Sequence, residues 1–241
     1  MKVVKVFFQI ICLATLVIAL GFTNSQHKNK ICQDFRISFS EQSRSLISAG
    51  EIILLMETVV DSIVGMPVKD LPINQLERRI EQQTNIKNAE VYLSLDHCLH
   101  IDIQQKTPIA RVKFARQNEY YMDENGKIFD LSSNHTERIL VVNGHITDSI
   151  DLHHIYRLAS FINTNTFWKS QIVQIFFKKN KEIELIPRVG NHTILMGSIN
   201  GFEEKFKKLQ LFYQQGVPQV GWNTYKEINL KFKDQIVCVK K

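Results

Sequence analysis

Between Leu99 and Leu131, apolar and polar residues alternate with a period of two. Leu99, Ile101 and Ile103 fall on one side and His100, Asp102 and Gln104 on the other, as in a half-buried strand. Thr107-Pro108 breaks the pattern, because proline cannot donate to a ladder and holds its predecessor extended. Extended chain resumes through Ile109, Ala110 and Val112. A further strand carries Tyr120, Tyr121 and Met122 into Asp123-Glu124-Asn125-Gly126, and Lys127-Ile128-Phe129 returns. Asn-Gly at that place predicts a type I′ hairpin turn, with positive φ at both central residues. The chain before Pro108 reads as a small α+β unit and the chain after it as a longer β-rich unit. The extended join between them predicts rigid coupling.

In the first unit, Ile31 to Phe39 alternates and predicts a strand. Ser48-Ala-Gly-Glu51 has the form of a capping box, followed by Ile52, Leu55, Met56 and Val59 at helical spacing. Asn74-Gln-Leu-Glu77 predicts a second capped start, with Ile73, Leu76 and Ile80 on one face and Asn85 ending the helix. Ala89 to Leu95 alternates again, with Val91, Leu93 and Leu95 inward, and Asp96-His97 turns the chain into the strand at Leu99. The order is β-α-α-β-β. In the second unit, Arg138 to Val142 is a short strand and 148–163 an amphipathic helix with Leu152, Ile155, Leu158, Ala159 and Ile162 inward. Ile172 to Phe177 and Glu182 to Ile186 form a hairpin over Lys178-Lys179-Asn180-Lys181, and Thr193 to Met196 is another strand. Residues 202–215 form a helix with Phe206, Leu209 and Phe212 on one face. Gly216 is expected to close it in a left-handed conformation, with Pro218 beyond. Tyr225 to Phe232 alternates through Ile228, Leu230 and Phe232, Lys233-Asp234-Gln235 turns, and Ile236 to Val239 is the last strand.

The N-terminus follows a different rule. Val6 to Phe22 carries no charge and a single amide, Gln9. Its length is at the short end of the range for a spanning helix, and the flanking lysines give little orientation. A cleaved signal peptide remains the alternative, although Leu20 to Ser25 offers no clean cleavage site. Either reading places the bulk of the chain outside the cytoplasm.

Composition narrows the chemistry. The chain has 241 residues, 44 % hydrophobic and 22 % charged, enough for one or two well-cored domains. The formal charge of +6 is spread out with no basic block, which disfavours nucleic acid. Cys12, Cys32, Cys98 and Cys238 show no zinc-type spacing and read as small apolar thiols. No G-x-S-x-G, phosphate-binding loop, G-x-G-x-x-G or H-E-x-x-H occurs, so neither catalytic residues nor cofactors are expected. His153 and His154 diverge by ~100° on a helix and do not face one metal. Asp123 and Glu124 read as turn residues. Asn134-His-Thr136 and Asn191-His-Thr193 match a glycosylation pattern that is short enough to arise by chance. The last strand, if it lies at a sheet edge, offers unpaired backbone groups to a partner. Lys240 and Lys241 would then act as gatekeepers or as a rim for an acidic partner.

An apolar N-terminal segment, β-α-α-β-β ending in L-x-I-x-I-x-x-x-x-P-I-A-R (Leu99 to Arg111), and then Y-Y-x-D-x-x-G-x-I-F (Tyr120 to Phe129) together resemble the bacterial cell-division family FtsQ/DivIB, in its Bacteroidota style. The closing Glu227 to Phe232 with its final hairpin resembles the end of that family's β domain. The resemblance implies an α+β protein with a short cytoplasmic tail (1–5), a transmembrane helix (6–22), a POTRA domain (30–107) and an FtsQ-type β-rich domain with two helices (108–241). It implies a single-pass inner-membrane protein, mostly periplasmic and enriched at the septum. The role implied is that of a non-enzymatic scaffold linking early and late division proteins. FtsB-like and FtsL-like partners would bind by strand addition to the C-terminal β edge. Carried onto this sequence, that edge is Phe232, Lys233, Asp234, Gln235, Ile236, Val237, Cys238 and Val239. Phe232 takes the place of a family aromatic residue, and Gln235 and Ile236 lie on the edge itself. The chain departs from the family in its Lys-Asp-Gln turn, its Val-Lys-Lys end and its short tail, which makes recruitment through the tail unexpected. Two other readings are a POTRA-containing outer-membrane assembly or transport component and an exported peptidoglycan enzyme. The two amphipathic helices argue against the barrel that the first needs, and the missing catalytic set argues against the second.

Overall fold

The structure, a computed structural model, describes residues 11–18, 30–40, 46–114, 119–132, 138–147 and 149–241. The chain divides into two compact units, Met1–Lys106 and Thr107–Lys241. Of the expected span 6–22, only 11–18 is described; it is helical and its side chains are exposed. Among the described residues, no helix is long and apolar enough to cross a membrane. The expected tail 1–5 and the Asn134-His-Thr136 pattern lie outside the described residues.

The first unit runs β1 (Asp34–Phe39), α1 (Ala49–Glu57), α2 (Ile73–Glu81), β2 (Ile86–Leu93) and β3 (Cys98–Gln105). Its sheet has the order β1-β3-β2, with β1 parallel and β2 antiparallel to β3. Period-two burial holds on the central strand: Leu99, Ile101 and Ile103 are inside, packed with Ile52 and Met56 of α1 and Leu76 and Ile80 of α2. The Ser48 box forms as the sequence predicts. Ser48 Oγ accepts the Glu51 N–H at 3.3 Å, and Glu51 Oε2 accepts the Ser48 N–H at 2.8 Å. The second box does not form. α2 starts at Ile73 behind Pro72 with no side-chain cap, which puts Asn74 inside the first turn, and it ends at Glu81, short of Asn85. β2 stops at Leu93, so Leu95 is not inward but sits in the turn, 90 % exposed. Cys32 and Cys98 are buried free thiols, and Cys32 belongs to the core of this unit.

The second unit is one nine-stranded sheet in the order β12-β11-β10-β9-β8-β7-β4-β5-β6. Its strands are β4 (Pro108–Lys113), β5 (Glu119–Asp123), β6 (Ile128–Asp130), β7 (Leu140–Gly144), β8 (Ile172–Phe177), β9 (Ile183–Pro187), β10 (Thr193–Gly197), β11 (Tyr225–Asn229) and β12 (Val237–Lys240). Of its three parallel pairs among the described residues, β4/β7, β7/β8 and β10/β11, the last two join strands consecutive in the chain and each needs a crossover. The helices supply both. α3 (Ser149–Thr164) and α4 (Thr166–Gln171) make the first crossover. α5 (Phe202–Leu211), a π turn (Phe212–Gly216) and α6 (Val217–Val220) make the second. All of them contribute to one core with the sheet, in which Ile155, Leu158, Ala159 and Ile162 of α3 are buried as their spacing predicts. The sequence reading overlooked α4. It buries Trp168, whose ring lies 4.7 Å from Phe206, and so ties the two helical blocks together.

The turn after β5 is not type I′. Only Gly126 has positive φ (78°), and Asp123 organises the turn by accepting the N–H groups of Asn125 (2.8 Å) and Lys127 (2.9 Å). Gly216 is not a left-handed cap either. It stays right-handed at φ −84°, the helical chain continues through it, and the stop is Gly221 at φ 84°.

Candidate partner-binding edge

Among the described residues the two sheets have four edges, and the structure treats them differently. The segment entering β1 is covered, because Cys32 N–H donates to Met66 O and Val68 N–H to Lys30 O, both at 2.8 Å. On β2, the Glu77 carboxylate reaches across from α2 and accepts the Val91 N–H at 3.0 Å. One outward donor of that strand is thus already taken, a common way to blunt an edge. Glu77→Ala is expected to cost about 1–2 kcal/mol, since the buried Val91 N–H loses its acceptor. Glu77→Gln, which keeps an acceptor, should cost less; equal losses in urea unfolding would mean that the contact is incidental. β6 has only three residues.

β12 is the edge at the other end of the nine-stranded sheet. It pairs antiparallel with β11 in the register Tyr225↔Lys240, Glu227↔Val239, Ile228↔Cys238 and Asn229↔Val237, with a bulge on β11 between Tyr225 and Glu227. Lys241 N–H donates to Thr224 O at 3.2 Å, which sets the phase of the strand. Backbone groups alternate along an extended chain, so Val239 and Val237 face β11, while the N–H groups of Cys238 and Lys240 point away from the sheet. Ile236 and Cys238 pack on the core, and burial pushes the Cys238 thiol pKa up. Val237 and Val239 stay exposed on the other face.

The loop before β12 is fixed from several sides. Leu230 is fully buried, and its N–H donates to Leu195 O at 2.9 Å. Lys231 reaches Glu182 at 2.6 Å, and Lys208 of α5 donates to the carbonyls of Phe232 and of Lys233, the latter at 3.0 Å. Between this loop and the helical run lies a groove of about 420 Å³ lined by Leu211, Phe212, Gly216, Asp234, Gln235 and Ile236. Gly216 is required there by packing rather than by φ: a Cβ would lie 2.8 Å from the Phe212 ring.

Of the eight residues carried over by resemblance, Val237, Cys238 and Val239 lie on the edge strand. Gln235 and Ile236 do not; they belong to the loop and line the groove. Phe232, Lys233 and Asp234 form the bend, with Phe232 exposed. β11 ends at Asn229 instead of continuing to Phe232, because the Asn229 side chain accepts the Lys231 N–H at 3.0 Å and turns the chain. The sequence reading missed Lys208, Leu211 and Phe212. They come from a helix more than twenty positions upstream, and no local pattern ties them to the edge. The closing stretch 225–241 carries Lys226, Lys231, Lys233, Lys240 and Lys241 against Glu227 and Asp234, with Lys231 paired to Glu182, so it is net basic. Among the described residues, no group of His, Cys, Asp or Glu is placed to hold a metal.

Comparison with known families gives two matches in chain order. Residues 30–104 match the model of a POTRA-like domain. Residues 107–239, more than half of the chain, match the model described as FtsQ/DivIB, C-terminal related. No curated protein matches the chain. With its sequence matching that model and a β-rich second unit after a POTRA-like first one, the chain belongs to the FtsQ/DivIB family.

Proposed function

We propose that this protein is a non-enzymatic scaffold of the cell-division machinery that binds FtsB-like and FtsL-like partners by adding their strand to β12. Residues 6–22 anchor it in the inner membrane, with the two units on the periplasmic side at the septum. Membership of the FtsQ/DivIB family supports the division role. The observation that carries the binding mode is the position of β12 at the end of the sheet order, with outward donors at Cys238 and Lys240. The basic rim favours a partner segment with acidic residues beside its strand. The POTRA-type alternative, in which the first unit hands over strands, is less well supported because Glu77 occupies the Val91 N–H on β2.

The test is a titration of the full chain with the periplasmic segment of the FtsB-like protein from the same cell, at 50 and 300 mM salt. Binding that weakens by about tenfold at the higher salt supports an edge with an acidic partner. Absence of binding at either salt overturns the proposed partner. Binding that does not respond to salt overturns the acidic-partner part.

A further inference from the structure

His192 is 5 % exposed and takes no part in the edge, yet three elements of that region meet on its ring. Its Nε2 lies 2.8 Å from Tyr213 Oη, in the π turn. Its other nitrogen donates to the carbonyl of Trp222, in the turn leading into β11. The Trp222 indole stacks on the ring at 6.4 Å and 17°. Gly190 makes room for this arrangement, since a Cβ there would lie 2.7 Å from His192 Nδ1. Both ring nitrogens are therefore committed in the neutral form, with Nδ1–H donating to Trp222 O and Nε2 accepting from Tyr213 O–H. Burial holds the tyrosine pKa far up, so its hydroxyl stays protonated. A proton on Nε2 would force that hydroxyl to turn from donor to acceptor and would put a charge in an apolar site.

We propose that His192 is an acid-sensitive pin whose protonation releases the π turn and the Trp222 turn and so loosens β11 and the edge strand β12. The elements are contiguous. Tyr213 belongs to the turn whose Phe212 and Gly216 line the groove, and Trp222 lies three residues before β11, the strand with which β12 pairs. The effect has a definite sign. Burial holds the imidazole below its ordinary value against the Trp222 hydrogen bond, which favours the charged ring, and the neighbouring charge of Lys241 adds to the effect of burial. A ring exposed by opening titrates near 6.5, and the pinned ring titrates below that. Stability of the region is therefore complete above that pH, and it falls as the pH drops below it because the open form takes up the proton first. At pH 5.5 the open form gains at most about tenfold over pH 7.5. Only the consequence for partner binding rests on the edge reading; the loosening does not.

The experiment is amide hydrogen exchange of the full chain in D₂O, without partner, at pH 7.5 and 5.5, with labelling times scaled for intrinsic exchange. Protection over 225–229 and 237–240 is expected to fall by up to about tenfold at the lower pH while that over 108–113 holds, and His192→Gln should abolish the difference. A uniform loss across the second unit, or the same local loss in His192→Gln, overturns the proposal. Should that variant not fold, the segment pattern in the natural chain still decides. Because no partner is present, failure here leaves strand addition standing, and failure of strand addition leaves the pin standing.

Discussion

Ending the chain after Phe232 is expected to weaken binding of the FtsB-like segment by at least about a hundredfold, or ~3 kcal/mol, with circular dichroism of the full-length and shortened chains alike. The cut removes β12 and with it the outward donors at Cys238 and Lys240. It also removes Ile236 and Cys238 from the core, and this weakens the test as a test of hydrogen bonding alone. Lys240→Pro separates the two effects. Lys240 is exposed at the end of β12, and its N–H points away from β11, so proline removes an outward donor while keeping the ladder to Tyr225 and Glu227. Proline is tolerated on an edge in this orientation. A loss of about tenfold or more is expected, from one missing hydrogen bond and the ring in the partner's path. Binding that survives both changes would put the partner away from both the edge and the groove, since the cut also removes Asp234, Gln235 and Ile236. Binding lost on truncation but unchanged by the proline would mean that the loop and groove, rather than the strand edge, hold the partner.

That distinction matters because the edge is not an isolated strand. Lys208 fixes the loop from the helical layer, Asn229 turns it, and the same helical run presents Phe212 and Gly216 beside it. The bulge on β11 twists the strand pair at Tyr225, so β12 follows the twisted end of the sheet rather than a flat continuation of it. A partner strand must therefore fit a short, twisted edge with a basic rim. These constraints select among strands more sharply than backbone pairing would.

Much of this architecture could be read from residue patterns. The switch from period two to helical spacing and back marks β-α-α-β-β, and the Ser48 box fixes where α1 begins. What could not be read is pairing across long separations. Nothing local says that β1 lies parallel to β3, or that β7 sits between β4 and β8, because those registers are set by the shared core. The C-terminal helix shows a subtler limit. Gly216 followed by Pro218 is an ordinary stop signal, but the chain makes a π turn instead. The buried stripe Phe202, Phe206 and Leu209 continues at the next i+4 position, so Tyr213 rather than Phe212 turns inward to meet His192. The candidate edge was legible as a terminal strand. Its groove was not, because half of its lining comes from a helical run distant in sequence from the edge.

Gly144→Ala should be among the most damaging single substitutions in the second unit. Gly144 ends β7 opposite Phe177 of β8, at φ 109°. A Cβ there would lie 2.1 Å from the Phe177 carbonyl oxygen and 2.8 Å from its nitrogen, both backbone atoms of a buried neighbour that cannot swing away. The same carbonyl accepts the His145 N–H at 2.7 Å, so any shift that relieves the clash also breaks the bond that turns the chain out of the sheet. Just beyond, buried Asp151 accepts the Thr147 N–H at 2.8 Å and pairs with Lys181 at 2.7 Å. Although burial opposes its charge, these contacts hold its carboxyl below the usual range, and a displaced β7 end would expose them. A loss of about 3–5 kcal/mol is expected in denaturant unfolding. Gly201→Ala is the control. Gly201 also has positive φ, 64°, but nothing lies within 4 Å of its added Cβ, so only the backbone cost of about 1–2 kcal/mol should appear. Equal losses at the two sites would mean that φ alone sets the cost and that the β7–β8 approach yields to a methyl group. A gap of 2 kcal/mol or more would place the constraint in the strand contact on which the first crossover is built.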